Sequence, residues 1–181
     1  MGSAIGSAFS AGGNDVTHVT RSDSGSAQIP GDVVVLAVPY PAVEDILAEY
    51  SDQFAGKTIV DITNPLNFET FDSLVVPAGS SSAAELQAKL PDSTVLKAFN
   101  TNFAATIASK QIGGLPTTVL IAGDDSDAKA ALSAAITSGG LTAIDAGALS
   151  RAHELEALGF LQLTLAAGEK FGWDAGFAVA R

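Results

Sequence analysis

DVVVLAVPYPAVEDIL, residues 32–47, is the stretch that decides the fold. Residues 33–38 form an apolar, β-branched run without alternation, which predicts a strand buried on both faces of a parallel sheet. Pro39 and Pro41 end this strand because proline cannot donate a ladder hydrogen bond, and a helical pattern then runs to about Tyr50. Ligands of open α/β sheets bind past the carboxyl ends of the strands, so Ala37–Pro39 are predicted to line a site. A plain strand-to-helix turn is the alternative interpretation of this piece.

Short apolar runs continue to alternate with helical patterns toward the C-terminus. Further strands are predicted at Lys57–Ile62, Thr94–Ala98, Thr117–Ala122 and Leu141–Asp145, with a glycine loop at Gln111–Leu115. Helices are predicted from a Ser80 or Ser81 cap to Leu90, over Asn102–Ser109, after the acidic residues 124–127, and from a Ser150 cap onward. The pattern predicts an α/β fold with a Rossmann-like, doubly wound and mostly parallel sheet. Residues 1–149 would form the dinucleotide-binding part, and residues 150–181 a C-terminal helix and tail of the same domain.

The N-terminal residues predict only part of such a fold. A helix is expected over Gly2–Ala11 and a strand over Val16–Thr20. Gly2 fits the last glycine of a G-x-G-x-x-G turn, whose backbone approaches a pyrophosphate at a helix N-terminus. The first strand and the first two glycines of that motif are then expected to be missing. A Gly/Ala-rich packing helix is the competing interpretation.

The segment Thr20-Arg21-Ser22 follows the predicted second strand, where NAD-specific folds carry an acid for the ribose 2′-hydroxyl. A guanidinium beside two hydroxyls suits a 2′-phosphate instead, which favours NADP. Asp23 is the rival for a ribose contact, although aspartate also favours turns. A solvated loop arginine is the alternative to both.

Polar residues also follow the next predicted strands. Asn64 precedes Pro65 and is therefore held extended, and amides and a hydroxyl follow the strand at Thr94–Ala98. The acidic cluster at residues 124–127 is interpreted as helix capping rather than as a metal site, because acids favour the positive end of the helix dipole. No metal site is predicted, and no pattern identifies a catalytic acid or base.

Composition narrows the function classes. The net charge of -11 argues against nucleic acid and anionic membranes as partners. The absence of cysteine excludes disulfides and thiolate catalysis, and it fits a cytoplasmic protein. The apolar runs are too short to span a bilayer. His153 is expected at the surface, and the aromatic tail after residue 170 is expected to pack or to form a homodimer contact.

The motifs VVVLAVPY, VDITNPLNF, KAFNT, VLIAGDD and IDAGAL together resemble the NADP-dependent reductases related to the deazaflavin (coenzyme F420 type)-dependent NADP oxidoreductase. The same module is similar to the cytosolic part of membrane ferric reductases and to the N-terminal domain of pyrroline-5-carboxylate reductases. The likeness extends over almost the whole chain. The resemblance implies a cofactor site made of Gly2 at the pyrophosphate, Thr20, Arg21 and Ser22 at the 2′-phosphate, Ala37, Val38 and Pro39 along the ribose and nicotinamide, and Asn64, Pro65, Asn100, Thr101 and Ala104 near the nicotinamide.

The resemblance further implies hydride transfer between NADP(H) and a small or planar electron acceptor, such as a deazaflavin, a flavin or a ferric chelate. Such enzymes position two stacked groups and need few acid-base residues. A non-catalytic NADP-binding module or sensor is the alternative, since no substrate domain is evident. Imine reduction is a weaker alternative, because that family adds a large helical dimer domain.

Overall fold

The computed structural model describes residues 1–180, and their central feature is a five-stranded sheet. The strands are β1 (Val33–Leu36), β2 (Thr58–Asp61), β3 (Thr94–Lys97), β6 (Thr118–Ala122) and β7 (Thr142–Gly147), in the spatial order β1-β2-β3-β6-β7. Three of the four pairings are parallel, and only β3 and β6 pair antiparallel, through Lys97 and Ala122. The prediction of a mostly parallel α/β sheet is therefore confirmed.

Helices cover both faces of the sheet. The helices are α1 (Gly2–Ala11), α2 (Val43–Tyr50), α3 (Ser82–Lys89), α4 (Ala104–Ser109), α5 (Ser126–Ser138) and α6 (Ala152–Ala167). Val60 of β2 faces a core shared with α1, α4 and α5, whereas its neighbour Ile59 faces a second core with α2 and α3. This alternation within an unbroken apolar run is the signature of a strand buried on both faces.

The segment Val16–Thr20 is not a strand, and this prediction was wrong. Val16 packs beside α1, but the segment pairs with no strand in residues 1–180. The segment is rich in β-branched residues, yet a strand exists only with a partner to complete its hydrogen bonds. The sheet of the described residues ends at β1, where Val33 is 42% exposed at the edge.

Several boundaries differ from the predictions in instructive ways. The cap of α3 agrees with one of the two predicted serines, since Ser81 accepts a hydrogen bond from the Ala84 amide (3.1 Å). Ser150 does not cap α6, since it lies within a 3₁₀ turn, Leu149–Arg151, that leads into the helix. The predicted glycine loop is a small hairpin of β4 (Gln111–Ile112) and β5 (Leu115–Pro116).

One predicted helix cap is confirmed, and one side chain lies deeper than predicted. The acidic residues before α5 do cap it, with Asp125 accepting from the amides of Asp127 and Ala128 (both 2.9 Å). His153 is half-buried rather than a surface residue, with Nδ1 3.0 Å from the carbonyl oxygen of Ser80. The tail packs on the body, with the Trp173 ring 5.0 Å from that of Phe103.

Candidate functional site

Three carboxyl ends meet at one edge of the sheet. The parallel register pairs Leu36 with Asp61 and Asp61 with Lys97, so β1, β2 and β3 end side by side. The segments that leave them, Ala37–Pro39, Ile62–Pro65 and Ala98–Thr101, therefore collect at this edge. Ligands of open α/β sheets bind in this position.

The N-terminus of α1 lies against this edge. A Cβ built on Gly2 would lie 3.3 Å from the Cβ of Ala37, so the helix start approaches the end of β1 more closely than most side chains allow. Ala37 and Pro39 are exposed beside it, and Val38 is half-buried. Of the predicted residues, the structure thus brings Gly2 together with the turn after β1.

A shallow groove runs between α1 and α4, close to the same edge. Its lining includes Met1 and Ser3 from α1, and Ala104 and Ala105 from the exposed start of α4. Most of its lining side chains are alanine or serine, and the larger ones are Met1, Ile107 and Lys110.

Asn64 and Asn100 are brought together, but as partners of each other. Asn100 Nδ2 donates to Asn64 Oδ1 (2.9 Å), and Asn64 Nδ2 donates to the Asn100 carbonyl (2.8 Å). Asn100 Nδ2 also donates to the carbonyl of Leu155 in α6 (2.8 Å), and α6 crosses the pair at Gly159. Asn100 Oδ1 is buried and has no hydrogen-bond partner within residues 1–180. A buried acceptor without a donor is costly and is a good place for a donor from a ligand.

The other predicted residues of this edge are less accessible. Thr101 is buried, and its carbonyl accepts from Gln162 Nε2 of α6 (3.2 Å). Pro65 is also buried, and its carbonyl accepts from the Val75 amide (2.7 Å). Phe99 adopts a left-handed backbone (φ 60°), which turns the chain sharply before Asn100. Such strain in a bulky residue persists only where the surroundings enforce it.

The predicted 2′-phosphate residues form one exposed turn. Thr20 Oγ1 contacts Ser22 Oγ (2.7 Å) and donates to Asp23 Oδ2 (2.7 Å), whose other bond comes from the Thr20 amide (2.8 Å). These bonds from Thr20 hold the pKa of Asp23 below its usual range. Arg21 is exposed and makes no ion pair with any of the described residues. Its guanidinium is therefore open to an anion.

The loop after Arg21 is fastened to α2. Glu49 accepts from Ser24 Oγ (2.7 Å) and from the Gly25 amide. Hydrogen bonds from Tyr50, Gly25 and Ser24 keep the pKa of Glu49 below its usual range. Glu49 lies in the last turn of α2, and this eight-residue helix spans about 12 Å from its start behind Pro39. The binding role of Arg21 stays a prediction.

A buried ionic cluster stands directly behind the edge, and the sequence interpretation missed it. Lys97 and Asp61, which end β3 and β2, and Glu156 of α6 are each at most 1% exposed. Lys97 Nζ lies 2.9 Å from Asp61 Oδ2 and 2.8 Å from Glu156 Oε1. Ser82 lies at the start of α3. Its hydroxyl is within donating distance of Asp61 Oδ2 (2.6 Å) and Glu156 Oε1 (2.8 Å), and its amide donates to Glu156 Oε2 (3.0 Å). The signal available in sequence was a charge ending each of two apolar strand runs.

Charge pairing and hydrogen bonds together favour the ionised form of Asp61. Burial opposes ionisation of Asp61, but Lys97 and the hydrogen bonds from Ser82 and the Thr63 amide outweigh it, so the pKa of Asp61 lies below its usual range. Lys97 Nζ has four oxygens within 2.9 Å, from Asp61, Glu156, Ser82 and the Thr63 carbonyl. An ammonium carries three protons, so the site is crowded with acceptors.

A cavity of about 90 Å³ adjoins the cluster between α2 and α3. Its lining includes Thr63, Ser82 and Tyr40, whose hydroxyl donates to Glu85 Oε2 (3.0 Å). Partial burial, followed by the Glu85 hydrogen bond and charge, raises the pKa of Tyr40 to about 12. Tyr40 is thus protonated throughout the physiological range.

Comparisons with known proteins agree with this architecture. Residues 5–65 match the family model described as NADP oxidoreductase, coenzyme F420-dependent. The F420-dependent NADP reductase of Methanocaldococcus jannaschii is 30% identical over 132 residues, which are 71% of this chain and 59% of that protein. The chain is related to the coenzyme F420-dependent NADP oxidoreductases.

Rat metalloreductase STEAP3 is another relative. It is 36% identical over 112 residues, which are 62% of this chain and 22% of that protein. A solved structure of a proposed F420-dependent NADP-reductase from Arthrobacter sp. FB24 superposes with a TM-score of 0.74 at 27% identity, over 83% of this chain and 70% of that one. A hypothetical protein from Sinorhizobium meliloti gives a TM-score of 0.59 at 31% identity, over 67% of this chain and 58% of that one. The chain spans less than two thirds of the length of the rat and the M. jannaschii proteins.

Two kinds of feature are absent from residues 1–180: a membrane-spanning helix and a metal-binding cluster. No helix there combines the length and apolar character needed to cross a membrane. No three His, Cys, Asp or Glu side chains converge there in a way that could hold a metal ion.

Proposed function

We propose that this chain is an NADP(H)-dependent oxidoreductase that binds its dinucleotide across the carboxyl ends of β1, β2 and β3. The observation that carries the proposal is the close approach of Gly2, at the start of α1, to Ala37, at the end of β1. This arrangement gives backbone amides at a helix N-terminus unhindered access to a phosphate beside the strand ends. The relatives named as NADP reductases add support.

The residues present fit the dinucleotide at three points. Gly2 offers a surface without a side chain for the pyrophosphate, with Ala37, Val38 and Pro39 continuing it along the ribose. Asn100 Oδ1 offers a buried, unpartnered acceptor, which suits the carboxamide N–H of a nicotinamide. Arg21, flanked by the hydroxyls of Thr20 and Ser22, offers an exposed guanidinium for the 2′-phosphate.

When bound, the nicotinamide supplies the hydride chemistry. The chain's own contribution is to hold the ring and to keep water away from it. Asn64 and Asn100 are locked to each other and to α6, so their loops present a rigid surface. Pre-organisation of this kind lowers the entropic cost of bringing a donor and an acceptor together.

The electron acceptor proposed is small or planar, of the deazaflavin, flavin or ferric chelate type. The support is the naming of one relative as an F420-dependent reductase and another as a metalloreductase. A non-catalytic NADP-binding sensor is the second candidate.

Turnover separates the two candidates. Loss of NADPH absorbance is followed with a deazaflavin, a flavin or ferric citrate as acceptor, using this chain and a version extended by an N-terminal strand ending in Gly-x-Gly-x, which together with Met1 and Gly2 completes the motif. Turnover with any acceptor excludes the sensor, whereas tight NADPH binding without turnover supports it.

Gly2→Val should abolish NADPH binding, because the new side chain fills the approach beside Ala37. Ser10→Val, at the exposed far end of α1, is the control for the change in helix propensity. Equal NADPH affinity in the two variants would refute the proposed site.

A second copy of the chain is the partner we propose for the C-terminal surface. Leu161 of α6 and Trp173 and Phe177 of the tail are 48%, 52% and 44% exposed. Burying them would gain hydrophobic free energy. Sedimentation should give the mass of a dimer, and a monomeric mass would contradict this proposal.

A further inference from the structure

The buried cluster of Lys97, Asp61, Glu156 and Ser82 has no role in the proposed contacts with the dinucleotide. Taking three charged groups out of water is expensive, and well-packed apolar side chains often stabilise a core equally well. The arrangement also leaves four acceptors around one ammonium. A stabilising role alone therefore explains this cluster poorly.

The cluster makes a hydrogen bond to the peptide group on each side of Thr63. Asp61 Oδ1 accepts from the Thr63 amide (2.8 Å), and Lys97 Nζ donates to the Thr63 carbonyl (2.6 Å). The Thr63 hydroxyl also lies 3.1 Å from Ser82 Oγ. The 2.6 Å bond is the shortest that Lys97 makes, and it joins the ammonium to the peptide unit that begins Asn64.

These hydrogen bonds fix the chain next to the residues that are proposed to lie at the nicotinamide. Asn64 follows Thr63, is bound reciprocally to Asn100, and precedes Pro65, which restricts its backbone to extended conformations. The Asn64 carbonyl in turn accepts from the Leu66 amide (2.9 Å). Fixing the Thr63 carbonyl therefore fixes the orientation of the Asn64 peptide, and with it the pair that includes the unpartnered Asn100 Oδ1.

We propose that Lys97 is a positioning residue, whose ammonium holds the Thr63 carbonyl and so sets the Asn64–Asn100 pair that receives the nicotinamide. Asp61 and Glu156 supply the negative charge that offsets the burial of the Lys97 ammonium in the core. This inference rests on the proposed function for its cofactor half, whereas its anchoring half concerns the free protein.

The test compares two variants that differ only at Lys97, so the difference between them includes the Lys97 contacts to Asp61 and Ser82 as well as the bond to Thr63. Glu156→Gln retains the Lys97 bond to Thr63 and is the reference. Lys97→Met combined with Glu156→Gln removes that bond, together with one charge of each sign. A double variant of the surface pair, Lys129→Met with Asp145→Asn, is the control for deleting an ion pair elsewhere.

Two measurements are made on each variant. Hydrogen exchange of the peptide covering residues 62–67 is recorded without cofactor, beside peptides from β3 and β6. NADPH dissociation constants are measured by titration. Relative to Glu156→Gln, the Lys97 double variant should exchange about tenfold faster at residues 62–67 alone, and its NADPH dissociation constant should rise about tenfold, as expected for one lost charge-assisted hydrogen bond.

The other outcomes overturn the inference. Unchanged exchange at residues 62–67 would show that Lys97 does not anchor the loop. Faster exchange throughout β3 and β6 would reduce its role to core stability. Local loosening with an unchanged NADPH constant would separate the loop from the cofactor. Wild-type protein that binds no NADPH would refute the proposed function instead, and the anchoring half would then stand or fall on the exchange data.

Discussion

Replacing Gly159 by alanine tests how tightly α6 sits on the floor of the candidate site. A Cβ at this position would lie 2.9 Å from both Nδ2 and the carbonyl oxygen of Asn100, and closer still to Oδ1 of Asn64. Real Cβ atoms essentially never approach heavy atoms so closely, and Asn100 is itself buried. Either α6 must move outward or the reciprocal amide pair must break.

The magnitude follows from three contributions. Overpacking a well-filled core costs about 1–3 kcal/mol. Each lost amide hydrogen bond costs roughly a further 0.5–1.5 kcal/mol. Alanine recovers up to about 1 kcal/mol through its higher helix propensity. With one hydrogen bond lost, the expected net loss in the free energy of unfolding is therefore about 0.5–3.5 kcal/mol.

Gly6→Ala is the matched control. It is also a glycine in a helix. Its added Cβ would meet the imidazole of His18, an exposed side chain that can swing away, and would lie 3.3 Å from Cγ1 of Val16, a contact that a small shift relieves. Urea unfolding followed by circular dichroism should place Gly6→Ala near the wild-type stability and Gly159→Ala clearly below it. Equal stabilities for the two variants would refute the close packing of α6 on Asn64 and Asn100.

Two further perturbations probe the rest of the structure. Asp125→Ala removes two hydrogen bonds from the start of α5 and should cost about 0.5–2 kcal/mol in denaturant unfolding; a wild-type midpoint would disprove the cap. Tyr40 has its pKa raised to about 12 from an ordinary 10.0, so its contribution to stability is complete below pH 10.0 and is lost as the pH rises toward about 12. Tyr40→Phe should remove that share of the alkaline loss, and an identical pH profile for the variant would contradict the Tyr40–Glu85 contact.

Much of the fold was predictable because it rests on local signals. The β-branched run before Pro39 has no helical or alternating pattern, and the structure places it as β1 within the sheet. The acidic residues 124–127 were likewise predicted to cap a helix, because a helix start and its capping residues are adjacent in sequence, and Asp125 is the cap in the structure. In each case neighbours along the chain decide the conformation.

The failures involve partners that are distant in sequence. Val16–Thr20 has the composition of a strand, but pairing depends on another segment and is absent from the described sheet. Ser150 has the composition of a cap, yet Leu149–Arg151 forms a 3₁₀ turn that places the start of α6 after it. Composition predicts a tendency, and tertiary contacts decide whether it is used.

The candidate site divides along the same line. Asn64 and Asn100 were predicted as side chains facing a ligand, and the structure shows that much of their hydrogen-bonding capacity is used between them. The Lys97–Glu156 pair could not be predicted, because 59 positions separate its members and only folding brings α6 onto β3. A charged residue at the end of an apolar strand run is the sequence signal that points to such a buried cluster.

The most direct test of the account is a titration of the wild-type protein and Arg21→Ala with NADPH and with NADH. If the exposed guanidinium binds the 2′-phosphate, the wild type should prefer NADPH by about tenfold or more, since a charge-assisted bidentate contact is at stake. Arg21→Ala should lose this preference while its NADH affinity stays the same. NADH binding as tight as that of NADPH, or NADPH affinity unchanged in Arg21→Ala, would contradict the account.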